Sequence, residues 1–252
     1  RAALGREDGE AFCRRYGITP EGNFEGASLP NLIGRPLAED ERMSALRAKL
    51  YDFRRERMPL GRDDKVLTSW NALMIVALCA SARALDRPDH LEAARRAERF
   101  LSERLSGPTG GPLLRWRDGE AKGEGVLADY AYLTLALTAL HAATEEPAYL
   151  DKARRLAELT LERFGGEEGL YLYSSQSEHL ITRPRETWDN PMPSGNACAG
   201  LALLRLAARE DGGRWQSAAD RQLRFLAGAA QASPIGHGFS LLTLEEALQT
   251  NG

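Results

Sequence analysis

From residue 68 onward the chain repeats a pair of helices, and this repeat limits the possible folds more than any other feature. The first helix of each pair is apolar on all sides, over residues 68–85, 127–143 and 194–208. The second helix is amphipathic, over residues 88–105, 147–164 and 214–227. Equivalent positions lie 21 residues apart, as from Trp70 to Leu91 and from Asp129 to Leu150. Because a helix that is apolar on all sides is buried, the pattern predicts inner helices enclosed by half-buried ones.

The connections of this repeat are asymmetric. Those from first to second helix are a few residues long, whereas the return segments 106–126 and 165–193 are long and contain strand-like stretches at 112–117 and 169–174. A further first-type helix begins near Phe239. This pattern predicts an all-α fold, an incomplete (α/α)6 toroid of helical hairpins with short β-hairpins in the long loops. A helical solenoid is disfavoured because its inner helices are amphipathic and its loops are short on both sides.

The domain prediction is one α/α-toroid domain over residues 1–252. Within it, residues 1–60 supply a lead-in loop, rich in glycine and proline, and a first outer helix at 38–57. The sequence begins with Arg1 and has roughly four hairpins in place of six, so we expect it to be a fragment of a longer toroid.

Composition narrows the class of protein. The 252 residues are 43% hydrophobic and 27% charged with a net charge of −3, which disfavours binding to nucleic acid or to an anionic membrane. The three cysteines are spread out and form no Cys-x-x-Cys, which suits a reducing compartment and predicts a cytoplasmic location. Polar residues interrupt the apolar runs, so core helices are favoured over membrane spans. Metal-ligand spacing and phosphate loops are missing, so we expect no metal and no cofactor.

The first candidate site residues open the first inner helix, in the polar cluster 63–71. Asp64 is a candidate catalytic carboxylate, held ionised by Lys65, or else it only stabilises the helix dipole. Trp70 is a candidate floor for a sugar and Asn71 a candidate partner for its hydroxyl groups. A packed indole and a satisfied amide are equally good explanations. Lys65 is a candidate binding residue or only the ion partner of Asp64.

The second and third inner helices begin with similar polar residues. Asp129 is the strongest single candidate for catalysis, because a carboxylate entering an apolar helix needs partners. The alternative is a structural role at the helix N-terminus. Tyr130 beside it is a candidate binding residue. Ser194 is a good N-cap, and Asn196 is predicted to face either the centre of the array or a neighbouring helix.

The long loop before the third inner helix adds Glu186, Trp188 and Asp189 as candidate sugar contacts, although most such loop charges are simply solvated. His179 and His237 fall at the long-loop end and are candidate acid–base groups for epimerisation. We expect Asp64, Trp70, Asp129, Asn196 and His237 to project into one central depression.

Several of these blocks resemble one known family. The chain is similar to the spermatogenesis-associated thioredoxin-domain proteins in four blocks, which are Gly22-Asn23-Phe24-Glu25-Gly26, Asp63-Asp64-Lys65 with Ser69-Trp70-Asn71, Leu127-Ala128-Asp129-Tyr130-Ala131, and Pro193-Ser194-Gly195-Asn196. The resemblance implies a thioredoxin-like domain, absent from this sequence, joined to a toroid similar to N-acylglucosamine 2-epimerases and six-hairpin glycosidases.

The expected function is a carbohydrate-active toroid domain, either epimerase-like or glycosidase-like, with a sugar-like small molecule as ligand. Inverting hydrolysis would draw two carboxylates, about 6.5–9.5 Å apart, from Asp64, Asp129, Glu186 and Asp189. The alternatives are a non-catalytic module that binds a ligand or protein and serves the missing thioredoxin-like domain, and a purely structural array. Unpartnered apolar edges of an open ring also predict a possible dimer.

Overall fold

The computed structural model describes residues 2–38, 40–58, 61–177, 181–209 and 213–250. The chain divides into two compact units, Arg1–Asp63 and Asp64–Gly252. The predicted single domain over 1–252, with its lead-in segment 1–60, stays a prediction.

The first unit contains two helices, α1 (Arg6–Tyr16) and α2 (Glu41–Arg57), which pack together. Arg42 at the start of α2 joins them by ion pairs to Asp8 at 2.7 Å and Glu7 at 3.2 Å. The loop between them contains the first resemblance block, in which the Asn23 amide bonds both the N–H and the C=O of Leu29. Gly22 has a φ of +75°, and a Cβ there would lie 2.5 Å from the Ala27 carbonyl oxygen, so this loop depends on glycine.

Among the residues described for the second unit, four inner helices occur, α3 (Thr68–Ala84), α5 (Leu127–Thr144), α7 (Gly195–Ala207) and α9 (Gly238–Thr250). They pack side by side in that order. The outer helices are α4 (Pro88–Arg104), α6 (Pro147–Phe164) and α8 (Arg214–Ala232), which pack against α3, α5 and α7 respectively. α5 and α7 are buried along most of their length, as apolar helices with neighbours on every side must be.

A small sheet lies at the long-loop end of this unit. It comprises β1 (Val66–Leu67), β2 (Leu113–Arg117) and β3 (Glu120–Glu124), antiparallel in the order β1-β2-β3. Asp118 and Gly119 both have positive φ, the geometry that a two-residue hairpin turn between β2 and β3 requires. β1 runs directly into α3, so its pairing with β2 fixes where the first inner helix begins.

Candidate functional site

A cavity of about 230 Å³ opens at the end of the array where α3, α5 and α7 begin. We call it the N-terminal depression, and its walls come from the first turns of these helices and from residues 186–195. The lining includes Trp70, Tyr132, Glu186, Trp188, Asn190 and Gly195. The long return loops therefore place side chains over the N-termini of buried helices, as the loop asymmetry predicts.

Two tryptophans line this depression with much of their surface in solvent. Trp70 is 62% exposed and Trp188 is 47% exposed. The ring of Trp188 makes an edge contact with His237, with 5.4 Å between ring centroids. A Cβ at Gly236 would lie 2.4 Å from the same indole, so close backbone approach also fixes its position. Trp188 is thus an exposed aromatic held by its surroundings.

Glu186 supplies a carboxylate to the depression. Its Oε1 accepts a hydrogen bond from Asn190 Nδ2 at 3.2 Å, and its backbone carbonyl accepts one from Asn196 Nδ2 at 2.8 Å. Tyr132 also lines the depression, and its hydroxyl donates to the Pro193 carbonyl. Asn190 and Tyr132 are not among the predicted site residues. Their only signals in the sequence are that Asn190 follows Asp189 and that Tyr132 follows the Leu127–Ala131 block.

Asp129 does not project into the depression, and in this respect the prediction is wrong. Its side chain is fully buried, with Oδ2 accepting from the N–H of Val126 and Oδ1 from the N–H of Ser69, each at 3.0 Å. It therefore caps its own helix α5 and also α3. Burial raises the pKa of this carboxyl to about 6, against the lowering effect of its hydrogen bonds.

Asp189 forms the matching bridge on the other side. Its Oδ1 accepts from the N–H of Ser194, the N-cap of α7, at 2.8 Å. Its Oδ2 accepts from the N–H of Phe239 in α9 at 2.7 Å. Two carboxylates thus tie four inner helices together in pairs through their N-termini.

Asn196 and His237 are also turned away from the depression, contrary to the predicted convergence. Asn196 instead faces the neighbouring helix α8, which is the other direction that the sequence allows. The buried amide of Asn196 bonds the N–H and the C=O of Leu170 and accepts from Gln222. His237 is 4% exposed, and its Nδ1 donates to the Ser233 carbonyl at 2.7 Å. Its Nε2 lies 3.0 Å from the hydroxyl of Thr187. Both side chains have partners that fix the backbone around the site.

The other candidates lie outside the depression. Asp64 is half-exposed and ion-paired with Arg117 at 3.0 Å. Lys65 is exposed, and Asn71 donates to the Leu67 carbonyl at 2.8 Å. Tyr130 is buried against Phe164 and receives a hydrogen bond from Arg163 at 2.6 Å. His179 lies outside the described residues.

A larger opening of about 720 Å³ lies at the opposite end, where the inner helices finish. Alanines form much of its wall, and Arg83, Arg209 and the Arg205–Glu246 ion pair stand around it. Arginines at helix C-termini complement the helix dipoles, so this lining has a structural explanation. The exposed aromatics that distinguish the N-terminal depression are missing from its described walls.

Two features are absent from the part of the chain that the structure describes. In that part of the chain, no group of three or more histidine, cysteine, aspartate or glutamate side chains is arranged to hold a metal ion. Within the same residues, no helix has the length and apolar character needed to cross a membrane.

The chain is similar to curated relatives over most of its length. It is 26% identical to spermatogenesis-associated protein 20 of Mus musculus and 28% identical to the Homo sapiens protein, each over 231 residues. The resemblance inferred from the four sequence blocks is confirmed. Each match covers 79% of this chain but 29% of the relative, so the chain spans less than a third of their length. No protein-family model matches the chain.

Solved structures with the same architecture are toroid enzymes. Cellobiose 2-epimerase of Bacillus thermoamylovorans has a TM-score of 0.55 at 16% identity, covering 66% of this chain and 45% of the enzyme. The GH76 α-mannanase of Bacteroides thetaiotaomicron has a TM-score of 0.53 at 17% identity, covering 77% of this chain and 56% of the enzyme. The predicted fold class, an incomplete (α/α)6 toroid, is therefore confirmed. At these identities the likeness concerns the fold, which is that of carbohydrate-active toroids.

Proposed function

We propose that the N-terminal depression is a carbohydrate-binding site in which a sugar ring lies against Trp70 and Trp188. The observation that carries this proposal is the pair of solvent-exposed indoles on one cavity, 62% and 47% exposed. Large aromatic side chains left in solvent on a concave surface indicate a ligand, because burying them lowers the free energy of binding. The fold of the structural neighbours, which are sugar epimerases and glycosidases, supports the same class of ligand.

The polar groups of the depression suit the hydroxyl groups of such a ring. Glu186 and Asn190 provide side-chain acceptors and donors on one wall. Ala128 and Gly195 lie in the first turns of α5 and α7, where backbone N–H groups have no intrahelical acceptor. A volume of about 230 Å³ is below the roughly 300–1,000 Å³ of drug-sized sites, which favours one sugar ring over a long oligosaccharide.

Binding is better supported than hydrolysis. Inverting hydrolysis uses two carboxylates about 6.5–9.5 Å apart, one as acid and one as base. Among the described lining residues Glu186 is the carboxylate that faces the cavity, whereas Asp129 and Asp189 are each committed to two backbone N–H groups. The proposal therefore favours a ligand-binding module over a glycosidase. Its predicted service to a thioredoxin-like domain stays a prediction.

Calorimetric titration with glucose, mannose and cellobiose tests this function. Trp70→Ala and Trp188→Ala should each weaken binding by about threefold to tenfold, the value of one aromatic contact. Leu85→Ala is the matched control, because Leu85 is 66% exposed at the far end of α3. Failure of all three sugars to bind, or equal binding by the wild type and both tryptophan variants, would reject the site.

The same samples separate binding from turnover. Proton NMR of each sugar after prolonged incubation should show no epimer and no hydrolysis product if the module is non-catalytic. A new anomeric or epimeric signal that disappears in Glu186→Gln would instead give Glu186 a catalytic role.

A further inference from the structure

The starts of the four inner helices carry a balanced charge. The Asp129 carboxylate accepts hydrogen bonds from backbone N–H groups at the starts of α5 and α3. The Asp189 carboxylate accepts them at the starts of α7 and α9, and all four bonds measure 2.7–3.0 Å. Each helix N-terminus is equivalent to about half a positive charge, so four of them amount to roughly two. The two aspartates supply two negative charges at the same ends. The attraction for anions that converging helix N-termini normally create is therefore cancelled by the protein itself.

What remains at the depression is the charge of Glu186. Glu186 is the acidic residue of the lining, and no arginine, lysine or histidine belongs to the lining that the structure describes. The nearby arginines of the same loop are engaged elsewhere, since Arg183 and Arg185 both stack on Tyr171, which is not part of the lining. A ligand that enters this cavity thus meets a net negative charge.

Glu186 is also held in place. The Asn190 amide donates to its carboxylate, and the Asn196 amide, itself fully buried, anchors its backbone carbonyl. The Asn196 bond fixes the backbone of Glu186, and the Asn190 bond favours one position of the exposed carboxylate.

We propose that the depression selects sugars by charge, accepting uncharged and amine-bearing rings and rejecting uronates and sugar phosphates, with Glu186 as the residue that sets this preference. This inference rests on the proposed sugar-binding function. It gives that site a ligand class, a sugar without an anionic group whose hydroxyl or ammonium donates to the Glu186 carboxylate.

The test compares three sugars of nearly equal size, glucosamine, glucose and glucuronate, by calorimetric titration at about pH 7 and low ionic strength. At this pH the amine is mostly protonated, and Asp129, with a pKa of about 6, is mostly ionised. The expected order of affinity is glucosamine, then glucose, then glucuronate. Each step should be roughly fivefold, the effect of one charge about 4 Å away in water. Added salt should reduce the differences in affinity between the three sugars, because salt screens exposed charges. The methyl ester of glucuronate, which lacks the charge, should bind like glucose.

Glu186→Gln should bring the three affinities together, because the amide removes the charge. Glucosamine should lose the most affinity, glucuronate should gain affinity, and glucose, which keeps an oxygen acceptor for its hydroxyl, should weaken less than glucosamine. Glu167→Gln is the matched control, because Glu167 is an exposed carboxylate outside the lining of the depression and should leave the order intact. If Glu186→Gln does not fold, the salt dependence and the methyl ester still decide the question in the wild-type protein. Glucuronate binding as tightly as glucose would overturn this inference alone, whereas the absence of binding by any sugar would overturn the proposed function.

Discussion

Asp129 occupies a position where sequence alone predicts two opposite roles. A carboxylate in the first turn of an apolar helix either faces a ligand or caps the helix, and both roles require the same residue at the same place. The structure distinguishes them by burial and partners, since both carboxylate oxygens accept backbone N–H groups, one of them from the neighbouring helix. The geometry therefore favours a structural role over the predicted catalytic one.

We accordingly expect Asp129→Asn to lower stability and to leave sugar binding per folded molecule unchanged. Asparagine keeps one oxygen acceptor, so one of the two N–H groups faces an amide donor and loses its bond. Leaving a buried donor unsatisfied costs about 1–3 kcal/mol. Urea unfolding and sugar titration on the same sample check this. If the variant keeps near-native stability but loses sugar binding or turnover, Asp129 has a functional role and not only a structural one.

The pH dependence of this stability difference has a defined sign. Because burial raises the pKa of Asp129 to about 6 from an ordinary 3.8, the folded state takes up a proton between about pH 6 and pH 4 that the unfolded chain does not. The contribution of Asp129 is thus greatest below its unfolded pKa and falls as pH rises to about 6. The stability gap between wild type and the Asn variant should widen as pH falls from 7 to 4.

The candidate site was predictable only in part, and the limit was side-chain direction. The sequence pattern correctly located Trp70, Glu186 and Trp188 at the long-loop end of the array, because the asymmetry of the loop lengths identifies that end. It could not tell that Asn196 turns toward Leu170 and Gln222, since a buried amide and a ligand-binding amide have the same spacing.

At the scale of helices, sequence periodicity predicted positions well. The predicted helix 147–164 matches α6 (Pro147–Phe164), and the predicted helix 68–85 exceeds α3 (Thr68–Ala84) by one residue. Strands were harder. β1 is two residues long and exists only through its pairing with distant β2. The strand-like stretch 169–174 forms a single bridge, between Leu170 and Gly165. Further along the stretch, the Leu172 N–H donates to the carbonyl of Pro184, a residue with no N–H to return a bond, and the Leu172 carbonyl accepts from the N–H of Leu127.

Two glycines inside helices should respond oppositely to alanine. At Gly200 in α7, an added Cβ would lie 2.8 Å from Leu226 Cδ1 and 3.3 Å from Gln222 Cγ, so the packing of α7 on α8 must shift. At Gly228 in α8, an added Cβ meets nothing within 4 Å. We expect Gly228→Ala to stabilise the protein by about 0.5–1 kcal/mol through helix propensity.

Gly200→Ala should destabilise it by about 1–3 kcal/mol through overpacking. Thermal and urea unfolding of both variants check the pair, and each serves as the control for the other. A stabilising effect at Gly200 would mean that α7 and α8 are packed more loosely than the contacts indicate.

At the scale of the whole array, the two ends of the row of inner helices carry exposed apolar side chains. On α3, Met74 lies one turn after Trp70 and is 57% exposed. On α9, Leu241 and Leu248 lie seven residues apart on one face and are 44% and 77% exposed. Inner helices of a toroid are normally covered on both sides, so these faces are the edges of an open row.

We expect these edges to drive self-association, as the sequence predicted for an open ring. Contiguous apolar surface in solvent favours association because burying it removes that surface from water. Sedimentation equilibrium should show a mass that rises with protein concentration for the wild type. The double variant Leu241→Glu with Leu248→Glu should remain monomeric, because two carboxylates on this face would have to be desolvated on association. Leu85→Glu, an exposed position at the C-terminal end of α3, is the control and should associate like the wild type. If the mass of the wild type does not change with concentration, the exposed α9 face does not drive self-association.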